Sequence, residues 1–495
     1  MTLAFGTDGV RGDTRGALTG QLVEAVGEAA GEVLGADRFA VGRDTRISGP
    51  ELAEALSRGV RRAGGSAVDL GVVPTPAVAR WCHDEHVAGA VVSASHNPWH
   101  DNGVKLFAPG GRKLSDEAQH EIERRIAELL DGAPRQAGDD LVTSGDSGGA
   151  GSPGAADDPE SGAGASEGRL RYPLPGGVAG PAPAHEGAGA PDGDRADLAR
   201  RRHIEAVVKS LEGRGLSGLR IVVDAANGAA VRSAPECLRR LGAEVETVHA
   251  APDGYNINDG CGSLHPESLQ AEVVSSGAHA GLAFDGDADR VLAVDDSGTL
   301  VDGDQILAVC AIDRAQRGRL AGASVVATVM ANLGLRQAMT ARGIEVVETP
   351  VGDRHVLGAL EERGLALGGE QSGHLIFRDL ATTGDGLLTA AHLLDAVKRS
   401  GSSLRDLAAE AMTRLPQVLV GVPMSAAARP VDLDEVLGAI ASEAATRLGD
   451  SGRVLVRPSG TEPLIRVMVE AADIDTAQAE ADRLAARIEA VLSCP

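Results

Sequence analysis

Three carboxylates recur at alternate positions in Ala283-Phe-Asp-Gly-Asp-Ala-Asp-Arg-Val291, namely Asp285, Asp287 and Asp289. Apolar runs at 280–284 and 291–294 flank them, so the segment reads as strand, tight loop, strand. Carboxylates this close repel one another unless a cation lies between them, and an all-oxygen set suits a hard ion, Mg²⁺ or Ca²⁺. An isolated Asp-Gly-Asp is commonly a solvated turn. The third aspartate, the adjoining Arg290 and the apolar flanks favour a metal loop here. A second reactive cluster, Ser93-Ala-Ser-His-Asn-Pro98, closes a strand-like stretch at 88–93. Ser95 is followed by His96, and Pro98 prevents an immediate helix. In an α/β sheet such a loop falls at the carboxyl end of a strand, where chemistry gathers. Esterified with phosphate, Ser95 would carry about −1.5 to −2 charges and three acceptor oxygens. One of those oxygens could complete the coordination of a cation held by the aspartates. No Gly-x-Ser-x-Gly elbow surrounds Ser95, which argues against a Ser-His hydrolase.

Three further loops combine arginine, glycine and hydroxyls in the manner of anion sites. Phe5-Gly-Thr-Asp-Gly-Val-Arg-Gly12 carries Arg11, and Gly42-Arg-Asp-Thr-Arg-Ile-Ser-Gly49 carries Arg43 and Arg46. Arg457-Pro-Ser-Gly-Thr-Glu-Pro463 joins a guanidinium to the hydroxyls of Ser459 and Thr461 and the backbone of Gly460, with Arg466 just beyond. Such donors hold a phosphate dianion by charge-assisted and backbone hydrogen bonds. Taken singly, each is more often an ordinary turn. Gly369-Glu-Gln-Ser-Gly-His374 differs in character: Glu370 and Ser372 suit sugar hydroxyls, and the carboxylate also suits an amine.

The elements that must position these loops follow from periodicity. Residues 17–34 form a helical pattern with Leu22, Val23, Val26, Ala29 and Ala30 on one face. Residues 39–41 and 88–93 read as strands, and 51–62 as a helix. The alternation resumes with a strand at 219–224 and a helix through Leu241. It appears again with strands at 324–329 and 344–348 around a helix at 333–342. Such alternation predicts α/β units with a largely parallel sheet. A strand pair within 454–469 and a helix with Leu484, Ile488, Val491 and Leu492 on one face predict a smaller α+β unit at the end. Between Ala133 and Asp197 the chain turns to Gly, Ala, Pro, Ser and Asp, with few side chains able to offset ordering entropy, so this stretch is expected to be a disordered acidic insertion. The expected domains are 1–132, 198–302, 303–412 and 413–495, with 133–197 inserted after the first.

Composition limits the function. A chain of 495 residues exceeds a single core. A net charge of −24 argues against general nucleic-acid binding, which needs a basic surface. No apolar run reaches the roughly 18 residues that cross a bilayer, and no basic-then-apolar leader opens the chain, so a cytoplasmic location without membrane contact is expected. The five cysteines are scattered, with no Cys-x-x-Cys pair, indicating neither a disulfide framework nor a zinc site. Two Tyr and two Trp leave little aromatic platform, so a bound sugar would be held by hydrogen bonds and charge.

With these residues in place, the chain resembles the α-D-phosphohexomutases, most closely the bacterial phosphoglucosamine mutases. The resemblance covers nearly the whole chain apart from the insertion. It rests on five motifs in the family's order: FGTDGVRG (5–12), SASHNP (93–98), DGDADR (285–290), GEQSGH (369–374) and RPSGTEP (457–463). It implies three related α/β (mixed-sheet) domains and a C-terminal α+β domain around a central cleft. The implied reaction interconverts glucosamine 6-phosphate and glucosamine 1-phosphate through a phosphoserine enzyme and a sugar 1,6-bisphosphate, which also serves as activator. It implies Ser95 as the phosphoserine and one Mg²⁺ held by Asp285, Asp287, Asp289 and Ser95. Lys105, Arg290 and Arg11 would act on the transferring phosphate. Glu370, Ser372 and His374 would bind the sugar, and Arg457, Ser459, Gly460, Thr461 and Arg466 its distal phosphate. The expected partner is a small sugar phosphate, with a homodimer as an option.

This chain departs from the family pattern in its insertion, in His355 where tyrosine is usual, and in Ala288 where glycine is frequent, its methyl being expected to point away from the ion. A phosphomannomutase or phosphoglucomutase with the same mechanism is the alternative reading. A catalytically silent sugar-phosphate sensor would have little need of both Ser95 and the aspartates, and a metal-dependent phosphatase would release phosphate without isomer.

Overall fold

The computed structural model describes residues 9–131, 192–424, 433–458 and 464–492. Four sheets organise them. The first contains β1 (Val10–Asp13), β2 (Arg38–Arg43), β3 (Ser66–Val72), β4 (Ala88–Val92) and β5 (Asp101–Phe107) in the order β1-β5-β4-β2-β3. The second contains β6 (Arg220–Asp224), β7 (Glu244–Val248), β8 (Ala280–Phe284), β9 (Val291–Asp295) and β10 (Leu300–Val301), ordered β10-β9-β8-β6-β7. The third contains β11 (Ser324–Thr328), β12 (Glu345–Thr349), β13 (Leu367–Gly369) and β14 (Leu375–Phe377), ordered β12-β11-β13-β14.

These three sheets repeat one plan. A central strand (β2, β6 or β11) is flanked by two parallel neighbours. The later of those neighbours (β4, β8 or β13) then turns back into an antiparallel partner (β5, β9 or β14). The sheets are therefore mixed, where periodicity suggested largely parallel ones. The reason is loop length. The connections 93–100, 285–290 and 370–374 are too short for the crossover of a dozen or more residues that a parallel return needs, so each strand folds back as a hairpin. All three of these hairpins carry the chemistry singled out above.

Local signals set most element ends. Thr19 accepts the amide of Leu22 and starts the helix Gly20–Leu34, while the amides of Ala17 and Leu18 bond to Asp13 instead, so this helix begins later than its apolar pattern does. Asp302 and Gln305 form a reciprocal capping box on the helix Gly303–Gln316. Asp385 caps the helix Gly386–Ser400 through the amide of Leu388 and also bonds His203 at 2.7 Å, tying in the helix Asp192–Ser210. That helix begins inside the stretch expected to be disordered. Ala196 and Ala199 on its face pack with Leu70, Val73 and Ala77 of the first domain, a tertiary gain that local composition does not reveal. The rest of the insertion, 133–191, lies outside the described residues, as do most of the Phe5–Gly12 loop and Ser459, Gly460 and Thr461.

The last sheet is wholly antiparallel: β15 (Gln417–Pro423), β16 (Arg453–Pro458) and β17 (Leu464–Glu470), in the order β15-β17-β16. The helix Ile474–Leu492 buries Leu484 and Ile488 in a core with Val467 and Val469. Among the described residues no helix is long and apolar enough to cross a membrane.

Candidate active site

The hairpin loops of the first two sheets meet face to face. Ser95 is fully buried, and its hydroxyl donates to Asp285 Oδ2 at 2.5 Å. Its backbone is left-handed (φ 54°), an uncommon conformation for a serine. Gly286 makes the approach possible, because a Cβ there would stand 2.5 Å from the Ser95 carbonyl oxygen. Gly228 packs against Gly286 from the other side at similar closeness.

Asp285, Asp287 and Asp289 are all buried and place carboxylate oxygens within 4.8 Å of one another. Lys105, from β5, sets its ammonium 2.7 Å from both Asp287 Oδ2 and Asp289 Oδ2. Thr75 donates its hydroxyl to Asp287 Oδ2 at 2.5 Å and its amide to the Asp287 carbonyl at 2.9 Å. Among the described residues, Oδ1 of Asp287 and of Asp289 are buried without a hydrogen-bond donor. Orphaned carboxylate oxygens converging in a buried pocket fit a hard divalent cation. Burial, with the charges of Asp289 and Asp287, pushes Asp285 up to about 8. Burial would also raise Asp289, but Lys105, His374 and Arg290 outweigh it and hold that carboxyl well below the usual range. Two neighbouring carboxyls driven apart in this way mark a site built around charge.

Ala288 lies at φ 59°, so the substitution at this glycine-favouring position acts on the backbone as well as through the methyl.

Arg290 places Nη1 3.2 Å from His96 Nδ1, which itself lies 3.4 Å from the Ser95 hydroxyl. Burial and the cations of Arg290 and Arg11 push His96 down to about 4, so its ring is neutral near pH 7. The third hairpin loop joins through Gly373, whose carbonyl accepts the amide of Val291 at 3.2 Å. His374 lies 3.5 Å from Asp289 Oδ1 and 3.7 Å from Asp353 Oδ2. Burial disfavours its cation, but Asp289, Asp353 and Glu370 reverse that effect and raise it. Glu370 accepts the Gly352 amide at 3.0 Å, while the Ser372 hydroxyl has no hydrogen-bond partner among the described residues.

Arg457 and Arg466 lie on the fourth sheet as register partners across β16 and β17. Two guanidinium side chains directly opposite each other repel unless an anion lies between them.

The loop at 42–49 does not serve as an anion site of its own. Arg43 pairs with Asp69 at 2.9 Å. Arg46 is 1% exposed and spends its donors on the Asp44 carboxylate and on the carbonyls of Ser95, Asn97 and Asp101. Thr75 and Asn258 escaped sequence reading as well. Thr75 sits in an ordinary-looking Pro-Thr-Pro stretch, and Asn258 in a polar loop with no patterned chemistry. Asp224, His249 and Cys261 also gather within 4.8 Å, a cluster that cysteine spacing did not suggest. The Asp224 carboxylate there accepts the amides of Ala226 and Gly262, at 2.9 and 2.8 Å.

Comparison with known proteins bears on this geometry. Residues 2–131, 201–298 and 302–415 match the alpha/beta/alpha domains I, II and III of the phosphoglucomutase/phosphomannomutase family, and 419–487 match its C-terminal domain. The chain is 46% identical to the phosphoglucosamine mutase of Moorella thermoacetica, covering 96% of both chains. It is 46% identical to that of Frankia alni over all of both. Among solved structures, a phosphoglucomutase/phosphomannomutase family protein from Burkholderia thailandensis superposes with a TM-score of 0.73 at 26% identity, covering 98% of this chain and 97% of the other. The N-acetylphosphoglucosamine mutase of Aspergillus fumigatus, solved with GlcNAc-6P and magnesium, shares the fold with a TM-score of 0.63 at 19% identity, covering 100% of this chain and 96% of that one.

Proposed function

The chain belongs to the phosphoglucomutase/phosphomannomutase family, and on that premise we propose that it interconverts glucosamine 6-phosphate and glucosamine 1-phosphate. The observation that carries this reading is the Ser95 hydroxyl at 2.5 Å from the first aspartate of a buried carboxylate triad. In this reading Ser95 is the resting carrier of a phosphoryl group. The P–O bond to Ser95 Oγ breaks as the free hydroxyl of the substrate takes the phosphoryl, giving a sugar 1,6-bisphosphate. That intermediate turns end for end, and its other phosphoryl returns to Ser95. Net, the phosphate has changed carbon and the enzyme is regenerated.

Such transfer depends on positioning and on neutralising charge. Mg²⁺ bound by Asp285, Asp287, Asp289 and a phosphoserine oxygen would supply electrostatic withdrawal from the transferring group. Lys105 and Arg290 bring cations to the same locality, and the charge of Arg11 reaches His96. Glu370, Ser372 and His374, whose imidazolium the nearby carboxylates favour, orient the sugar. The carboxylate of Glu370 also suits the ammonium group that distinguishes glucosamine. Arg457 and Arg466, with Ser459, Gly460 and Thr461, grip the distal phosphate by donors that accept either end of the substrate. Closure of the fourth domain over the cleft keeps water from the phosphoserine.

The test pairs an isomerisation assay on glucosamine 6-phosphate, primed with the bisphosphate, with intact-mass analysis for one phosphate on the protein. Steady release of inorganic phosphate without isomer would overturn the reading in favour of a phosphatase. Faster turnover of glucose 1-phosphate or mannose 1-phosphate would overturn the choice of sugar.

A further inference from the structure

Two amino groups from different domains grip the same pair of carbonyls beside Ser95. The side-chain amide of Asn258, in the second domain, donates to Ser95 O at 2.9 Å and to Asn97 O at 3.0 Å. From the first domain, Nη2 of the buried Arg46 reaches the same two oxygens, at 3.3 and 2.5 Å. Behind this clamp, Arg46 pairs with Asp44, Asp44 accepts the Ser93 hydroxyl at 2.6 Å, and Ser93 Oγ accepts the Ser95 amide at 2.9 Å. The peptide units on both sides of Ser95 are thus held. A serine at φ 54° persists only where its surroundings over-determine it.

Asn258 is also wedged against the metal loop, since a Cβ on Gly286 would lie 3.0 Å from its Nδ2. It sits 163 positions from Ser95 in sequence, and its own amide is tied to the Ala226 carbonyl at 3.0 Å. The residue therefore links the Ser95 loop to the scaffold of the aspartate loop.

We infer that Asn258 is a positioning residue for phosphoryl transfer: together with Arg46 it sets the reach of the Ser95 oxygen toward the aspartate loop. This rests on the reading of Ser95 as the phosphoryl carrier. The clamp touches main-chain oxygens only, so it acts on the rate of transfer and leaves sugar binding alone.

Two substitutions test it in the full-length protein. Asn258 itself has φ 58°, which glycine and aspartate both tolerate, so neither variant is strained there. Asn258→Gly deletes the donor. Asn258→Asp keeps the shape but turns a carboxylate oxygen toward the two carbonyls. The measurement is the rapid-quench rate at which phosphorylated enzyme passes its phosphoryl to glucosamine 6-phosphate, per phosphorylated molecule, together with KM and thermal midpoint. Transfer should slow by about tenfold in Asn258→Gly and about a hundredfold in Asn258→Asp, a scale set by the sensitivity of transfer to sub-ångström misplacement, with KM within about twofold of wild type. Wild-type transfer rates in both variants would overturn the inference. So would losses confined to the thermal midpoint, which would make Asn258 a scaffold residue only. A wild-type protein that takes no phosphate on Ser95 would instead overturn the underlying reading, and this inference with it.

Discussion

The Ser95 hydroxyl and Asp285 Oδ2 stand 2.5 Å apart, although 190 positions separate the two residues in sequence. Each sits in the hairpin that follows the equivalent strand of its own sheet, β4 in one case and β8 in the other. Repetition of one sheet plan, with the repeats packed loop to loop, brings an esterifiable hydroxyl to a carboxylate triad. The third hairpin adds Glu370, Ser372 and His374 to the same neighbourhood through its bond to β9.

Replacing Ser95 with alanine should remove turnover by roughly three orders of magnitude or more while leaving the fold intact, because the hydroxyl bonds only site residues, Asp285 at 2.5 Å and His96 at 3.4 Å among the described residues. Glucosamine 6-phosphate isomerisation, circular dichroism and intact mass check this together. Near-normal turnover would reject the carrier role.

Thr75 supports Asp287 from outside the triad. Thr75→Val keeps the volume and deletes the 2.5 Å hydrogen bond, so the Mg²⁺ concentration for half-maximal turnover should rise by about 10–100-fold. Chelation should abolish turnover in both proteins. An unchanged Mg²⁺ requirement in the variant would show that the Thr75 contact does not tune the site.

Lys105 acts as the internal counter-cation of Asp287 and Asp289. Lys105→Ala removes the ammonium 2.7 Å from both buried carboxylates, and the metal-free protein should lose about 3–5 kcal/mol of stability. The ammonium would no longer compete for the pocket, so the rise in thermal midpoint on adding Mg²⁺ should be larger than in wild type, while turnover falls. A Mg²⁺ shift of wild-type size would contradict this account of Lys105.

Asp304 supplies a pH dependence of its own. It is 1% exposed, and burial with the charges of Asp302 and Glu470 pushes it from its ordinary 3.8 up to about 8. The folded chain therefore keeps a proton that the unfolded chain releases between those values. The stability contribution is fully present below pH 3.8 and is lost as pH rises through about 8, with a slope of up to ~1.4 kcal/mol per pH unit. Asp304→Asn is neutral throughout, so its thermal midpoint should fall less than that of wild type between pH 5 and pH 8.5. Parallel curves would refute the assignment.

Much of this arrangement can be read directly from the chain. Asp285, Asp287 and Asp289, the Ser95 segment and the 369–374 loop are contiguous runs whose residue types can be read for chemistry. The strands and helices around them follow from local periodicity, and so does the α/β class. Other features depend on where distant segments land. Arg46 looks like an anion ligand in sequence, yet packing buries it and turns it onto the backbone of the Ser95 loop. Thr75 and Asn258 have no signal of their own, because a hydrogen bond spanning a hundred or more residues leaves no spacing to detect. The helix Asp192–Ser210 starts within a composition that suggests disorder, and it holds because Ala196 and Ala199 find a partner surface. Residue type and short-range order are properties of the chain alone. Burial, and the long-range contacts that shift a carboxyl or fix a serine, exist only once the sheets have closed on one another.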